Sequence, residues 1–477
     1  MKKSNYNAFF ILSIERSTLL SRGLPWVNLL PLSTRVDTPL PRDRKVDSMK
    51  LTSKAVRAVA VAAVAALAVT TAGTGAHAAS KKTFNVWWYE KDTAMATTWA
   101  SALKELAAKH PDVDVKFELK TWDQIQKGGN AILDSNKAPD LAEWNKGNAT
   151  AGTASAAGLL TDLAPYAKKY GWDKLLPSSV SLYGKYDANG IMGSGKLYGV
   201  PSYGEYVSIF YNKDLFAKYN VAVPTTPAQL VAAMDKFKAA GVVPMNLGGA
   251  GYQIVHLMYA LTVAQPKANQ AWINSFQLFK SPKIDGTKDP LIKAAAQQVA
   301  DWAKAGYFEP NVSGVSPDDA VASFQKGGSA MLMGGSWLDQ GMYDNVKSFK
   351  YGKFLVPGSL SVGSAGNLLL IPAKSKQKDL AAEFINMILS KKYQNFLGNA
   401  GGLALFADPS AIANPATLQT YPEFAKAVKN NALAMYPDWP VAGFYEVLLA
   451  AGTQLLSDGN VDAYMQKTGA FYNAGRQ

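Results

Sequence analysis

The sequence predicts an α/β protein with mainly parallel sheets, and three observations lead there. Short apolar segments recur at a period of two, they alternate with stretches whose apolar residues fall three or four apart, and many of the latter carry capping residues. Val113, Val115, Phe117 and Leu119 alternate with Asp114, Lys116 and Glu118, the pattern of a half-buried strand. Before it, residues 83–89 (TFNVWWY) form a buried strand, and Met95, Trp99, Leu103 and Leu106 share one helix face that ends before His110-Pro111. A helix over 122–133 and a short strand over 140–144 follow. The order β-α-β-α-β implies parallel strands with helices on the sheet faces.

The pattern resumes after Gly190 with a strand over 206–211 (YVSIFY). The next helix has Thr226 as its N-cap, Pro227 in its first position and Gly241 as its stop. A strand over 243–247 and helices over 253–263 and 290–304 come next, while the Gly- and Ala-rich residues 147–158 read as a helix packed closely on a sheet. Ser316 then caps a helix with Pro317 in its first position and Asp318 and Asp319 in its first turn, where the helix dipole favours them. Val321 and Phe324 face inward and Gly327 ends that helix. Residues 329–333 form a strand, which leaves Gly334-Gly335-Ser336-Trp337 beyond its carboxyl end. In open α/β sheets ligands bind at that end.

Trp337 has company. Trp87-Trp88-Tyr89 ends the first strand, Trp144 ends the strand over 140–144, Tyr252 follows Gly248-Gly249, and Trp439 lies in the loop Tyr436-Pro437-Asp438-Trp439-Pro440. Aromatic faces at strand ends form a stacking surface for the C–H faces of pyranose rings or for cationic groups. Glu90, Asn145, Glu205 and Asn367 lie between them as candidate partners for ring hydroxyls.

Composition excludes several classes. The 477 residues contain no cysteine, so there is no disulfide framework, no thiolate metal site and no cysteine nucleophile. Three scattered histidines, His77, His110 and His256, argue against a histidine-based metal centre, and neither a metal nor another cofactor is expected. Residues 49–78 have the three parts of a secretory signal: basic Lys50, Lys54 and Arg57, an apolar run over 58–69, and Ala76-His77-Ala78 before a cut at Ala79. Residues 1–48 read as a start-site extension. Removing residues 1–78 takes 11 Lys/Arg from 49 and 4 Asp/Glu from 36, so the net charge falls from +13 to +6. Of the remaining basic residues only Arg476 is an arginine, which speaks against nucleic acid as a partner. The mature chain is therefore expected outside the cytoplasm, extracellular, at the cell surface or periplasmic, with no cysteine to carry a lipid anchor.

Four stretches stand in order along the chain: Lys137-Ala-Pro-Asp-Leu-Ala-Glu-Trp144; Leu197-Tyr-Gly-Val-Pro201 with Ser208-Ile-Phe-Tyr-Asn-Lys-Asp-Leu-Phe216; Phe324 to Trp337; and Gly366-Asn-Leu-Leu-Leu-Ile-Pro-Ala-Lys-Ser375 before Ala381-Ala-Glu-Phe-Ile385. Together they resemble the family 1 extracellular solute-binding proteins of ABC importers, which include maltodextrin-binding proteins. The resemblance implies a two-lobed periplasmic-binding-protein-like fold of type II, closing by hinge motion. Lobe 1 would comprise 79–203 with 362–405, and lobe 2 would comprise 206–358 with 408–477. It also implies a monomer that captures a di- or oligosaccharide without chemistry and hands it to a membrane permease. By family position, the ligand-binding residues would be Tyr89, Glu90, Lys91, Trp144, Asn145, Glu205, Trp337, Trp439 and Tyr445, to which the strand-end reading above adds Tyr252 and Asn367. Two departures bear on which sugar is taken. Pocket arginines of maltodextrin-type members are missing, with Lys146 a candidate substitute, and the loop before Tyr252 has Gly249-Ala250-Gly251 where an acid is expected.

Two other readings stand beside this one. A secreted polysaccharide-active enzyme would need two carboxyls about 5–9.5 Å apart, and Glu90, Glu143, Glu205 and Asp438 supply candidates that nothing in the sequence brings together. A binding protein for a non-sugar solute such as a polyamine would combine the same aromatics with several acids.

Overall fold

The computed structural model describes residues 81–476 apart from 90–92 and 121. The start-site extension, the signal segment, Glu90 and Lys91 thus lie outside the described residues. Among the described residues thirteen strands are present: β1 (Lys82–Trp88), β2 (Val113–Leu119), β3 (Leu141–Trp144), β4 (Lys185–Tyr186), β5 (Lys196–Leu197), β6 (Gly199–Pro201), β7 (Glu205–Asn212), β8 (Met245–Asn246), β9 (Met331–Gly335), β10 (Tyr351–Phe354), β11 (Ser361–Ser364), β12 (Leu368–Leu370) and β13 (Leu433–Ala434).

They build two main sheets. The first has the order β2-β1-β3-β12-β6, and the second the order β13-β11-β7-β9-β8 with β10 also paired to β7. In each sheet one strand runs against the rest. β12 is antiparallel to both β3 and β6, and β7 is antiparallel to β9, β10 and β11. The remaining pairs within these two sheets, β1 with β2 and β3, β8 with β9, and β11 with β13, are parallel, and β4 and β5 form a separate antiparallel pair. Both reversed strands enter directly from the other sheet, through 202–204 and 365–367. Such short links cannot hold the helix that a parallel crossover needs. The chain thus passes between the sheets at two adjacent short connections and a third time between β12 and β13, where Ala404 bridges to Tyr203, the geometry of a hinge. β11, most of which the expected boundary gave to lobe 1, pairs with β7 and β13 of the second sheet.

Local chemistry explains the helices around them. Thr226 accepts from the Gln229 amide ahead of the helix Pro227–Ala239, and Ser316 accepts from the Asp319 amide ahead of Pro317–Gln325. Asp289 does the same for Pro290–Lys304 with its Leu291 and Ile292 amides. Gly241 and Gly327 take positive φ, 71° and 83°, just past their helices. Residues 147–158 form a π-helical turn, Asn148–Gly152, followed by the helical turn Thr153–Ala156. No described helix is long and apolar enough to cross a membrane.

One strand departs from expectation in a way that matters. The strand foreseen over 329–333 is Met331–Gly335, so both glycines belong to it and pair with β7, Gly334 opposite Ser208 and Gly335 opposite Val207. The glycines are strand residues rather than a break because the strand must accept a ring on its surface. A Cβ at Gly335 would lie 2.2 Å from the Trp337 indole. The tryptophan folds back over the strand end.

Candidate ligand-binding site

Lys146 follows β3 and is wholly enclosed, a position that a cation occupies only when its donors are satisfied. Its Nζ donates to Glu205 Oε1 at 2.9 Å and to Asn367 Oδ1 at 3.1 Å, and it stands 5.1 Å from the centre of the Trp439 ring. Glu205 opens β7 and also accepts from Ser364 Oγ at 2.6 Å. Asn367 precedes β12 and passes a bond on to Glu143 Oε1 at 3.2 Å. Glu143, itself buried, further accepts from the Tyr89 amide at 2.9 Å and Tyr203 Oη at 3.3 Å. The network therefore joins the end of β3 to both connections between the sheets.

The loop carrying Trp439 is sewn onto the same place. Ala149 donates its amide to the Trp439 carbonyl at 2.9 Å, and Asn148 Nδ2 donates to the Gln277 carbonyl at 2.9 Å. Gly147 is required here: its φ is 90°, and a Cβ on it would come 2.3 Å from Trp439 Cβ. Beside them, burial pushes the Asp438 carboxyl up to about 6; Glu205 and Glu446 add to the rise and Lys146 opposes it.

A run of rings leads away from this network. Trp439 meets Tyr183 edge-on at 6.0 Å and lies 5.5 Å from Tyr436. Tyr436 is 5.2 Å from the His256 imidazole, which is 5.1 Å from Tyr252 and 5.5 Å from Trp337. Trp337 Nε1 donates to Tyr252 Oη at 3.2 Å. His256 and Tyr252 share a face of the helix Tyr252–Ala264, one turn apart. Burial drives the His256 imidazole down to about 3, so it is neutral in ordinary buffers.

The structure thus gathers Trp144, Asn145, Glu205, Asn367 and Trp439 around Lys146 or next to it in sequence, and it pairs Tyr252 with Trp337 at the far end of the ring run. Tyr89 reaches the network through its backbone amide, and Tyr445 is half-buried at the start of the helix Phe444–Asp458. Trp144 and Trp439 are each only 2% exposed, so in this state their faces are covered by protein. The aromatic surface expected from the first strand is not shared with them: Trp88 stacks on Phe117 at 4.9 Å and packs edge-on to Trp99. Sequence reasoning missed His256, Tyr436 and Tyr183. Two cavities among the described residues lie beside this region, one of about 250 Å³ meeting it at Tyr183.

Comparison with known proteins matches residues 56–395 to the bacterial extracellular solute-binding proteins. The chain belongs to that family. A relative among these binding proteins is the diacetylchitobiose binding protein DasA of Streptomyces coelicolor, 24% identical over 69% of this chain and 74% of its own. Another is the multiple sugar-binding protein of Streptococcus mutans, 25% identical over 43% of this chain. The match spans about half the length of that second relative, 50%. Among solved structures, a chitin oligosaccharide binding protein superposes with a TM-score of 0.69 at 20% identity, over 83% of this chain and 99% of its own. That likeness establishes the two-domain solute-receptor fold.

Proposed function

We propose that this solute-binding protein captures a carbohydrate, a di- or oligosaccharide, between its two sheets and delivers it to an ABC-type permease. The observation that carries the reading is the continuous run of rings from Trp337 to Trp439, ending on the Lys146–Glu205–Asn367 network. Rings offer faces to pyranose C–H groups, and the interlocked network fixes the end of the ring run at the connections between the sheets. The names of the relatives described above, each a binding protein for a sugar or oligosaccharide, support it. Trp337 and Tyr252, both half-buried, are the accessible stacking pair. Trp144 and Trp439 become available when the sheets swing apart about 202–204 and 365–367, and closure on the ligand restores the covered state. The permease then receives the closed form. Export through the signal over 49–78 brings the chain to that encounter, and it acts as a monomer without catalysis.

The test is a thermal-shift screen of the chain from Ala79 onward against mono-, di- and oligosaccharides and polyamines, followed by calorimetric titration. A ligand present at about 100 times its Kd stabilises the fold by about 2.7 kcal/mol. A shift with one sugar class is expected. A shift with polyamines alone overturns the ligand, and shortening of an oligosaccharide during incubation overturns the absence of chemistry.

A further inference from the structure

We propose that His256 is a specificity-determining residue of this site, whose imidazole hydrogen-bonds a hydroxyl of the bound sugar. This rests on the carbohydrate reading above. The imidazole is enclosed on three sides by the rings of Tyr252, Tyr436 and Trp337, at 5.1, 5.2 and 5.5 Å. It makes no hydrogen bond to any described residue, and its Nδ1 is closed off from solvent. The ring as a whole is half-buried, so part of its edge faces outward from the aromatic wall.

Packing alone does not explain a histidine here. A phenylalanine would fill the same volume between three aromatic neighbours without burying an unpartnered nitrogen. The neighbouring nitrogen, Trp337 Nε1, is already engaged with Tyr252 Oη at 3.2 Å. His256 therefore supplies hydrogen-bonding capacity not yet used in a wall otherwise suited to stacking. Being neutral, it carries one donor and one acceptor nitrogen, the pair that suits a hydroxyl, and it gives no preference to an anionic sugar. Its place one helical turn from Tyr252 puts that capacity at the edge of a ring stacked on Trp337. The polar contact sets which hydroxyl pattern is accepted, while the aromatic rings supply affinity common to many sugars.

The experiment is calorimetric titration of the chain from Ala79 onward, unaltered and as His256→Phe and His256→Gln, with raffinose, N,N′-diacetylchitobiose, maltose and xylobiose. It continues with monodeoxy analogues of whichever sugar binds. His256→Phe is expected to weaken binding about tenfold with an unchanged or higher Tm. One monodeoxy analogue should cost the unaltered protein about tenfold and cost His256→Phe nothing further, the signature of a direct pair in a double-mutant cycle. His256→Gln, which retains a donor and an acceptor, should recover part of the loss, and it carries the test if the phenylalanine variant fails to fold. An unchanged Kd in the variant, or equal losses for every analogue in both proteins, overturns the assignment while leaving the carbohydrate reading standing. No binding of any of the four sugars by the unaltered protein overturns that reading and the assignment with it.

Discussion

The two ends of the ring run are built on opposite principles. Around Lys146 the charged groups are all engaged: the ammonium with Glu205 and Asn367, Glu205 with Ser364, and Glu143 with Asn367, Tyr203 and the Tyr89 amide; only the neutral Nδ2 of Asn145 beside them lacks a partner among the described residues. Around His256 the rings stand close, yet the imidazole has no hydrogen bond to a described residue. A saturated network fixes geometry, because each member is held by the others and a change in one leaves a buried charge uncompensated. An unsaturated aromatic wall leaves hydrogen-bonding capacity unused, the capacity proposed above to meet a ligand. The first end is where stability is expected to respond to mutation, and the second is where affinity and selectivity are.

The sharpest way to break that division is Lys146→Met. It leaves Glu205 and Asn367 facing an apolar chain, and loss of one partner of a buried ion pair costs about 3–5 kcal/mol. A large drop in Tm and in the denaturant midpoint is expected. Adding Glu205→Gln should recover much of it, since the stranded carboxylate is then gone. At the other end, Trp337→Ala should weaken sugar binding more than tenfold while the chain still melts cooperatively. An unchanged Kd would make Trp337 a plug seated over Gly335 rather than a stacking face, and a collapse of Tm would move it to the structural side.

Much of this was legible in the sequence, for physical reasons that differ by element. The strand at Val113–Leu119 and the helices Trp122–Leu133 and Pro290–Lys304 have the foreseen bounds, because alternation, helical spacing and caps are local signals. β9 was displaced by two residues because Gly334-Gly335 reads as a break, whereas the glycines serve a ring that returns over the strand. β8 is shorter than foreseen, only Met245–Asn246. At the site, Trp144, Asn145, Glu205, Asn367 and Trp439 were each named, but that they converge on Lys146 is a matter of two crossovers and a loop from far along the chain. His256 had no sequence signal. It sits in the apolar run YQIVHLMYALTVA, and its surroundings come from Trp337 and Tyr436, 81 and 180 positions later.

Acid titration separates the two ends by sign. His256 is lowered from 6.5 to about 3 by burial, so between those values the unfolded chain binds the extra proton and the folded chain does not. Its contribution to stability is complete above about pH 6.5 and is lost as pH falls. The difference in unfolding free energy between His256→Phe and the unaltered chain should therefore grow in the variant's favour from pH 7.5 to pH 5, read from paired denaturant titrations. A constant difference would mean that the imidazole is solvated in the folded state.

Asp438 works the other way, over a narrower interval. Burial raises it from 3.8 to about 6, with Glu205 and Glu446 adding to the rise and Lys146 restraining it. In that interval the folded chain binds the extra proton, so this group's contribution is present at the acid end and is lost as pH rises through about 6. Asp438→Asn removes the titration, so its stability relative to the unaltered chain should improve from pH 4.5 to pH 7 and level off above. The effect should be the smallest of the four, because Lys146 already offsets part of the charge. It also tests the link between the ends of the site. Combined with Lys146→Met, the asparagine should gain more at pH 7 than it does alone, since the carboxylate has then lost the cation that favours it and keeps only its backbone hydrogen bond. Simple additivity of the two substitutions would show that the lysine is committed to Glu205 and Asn367 and that Asp438 belongs to the aromatic loop instead.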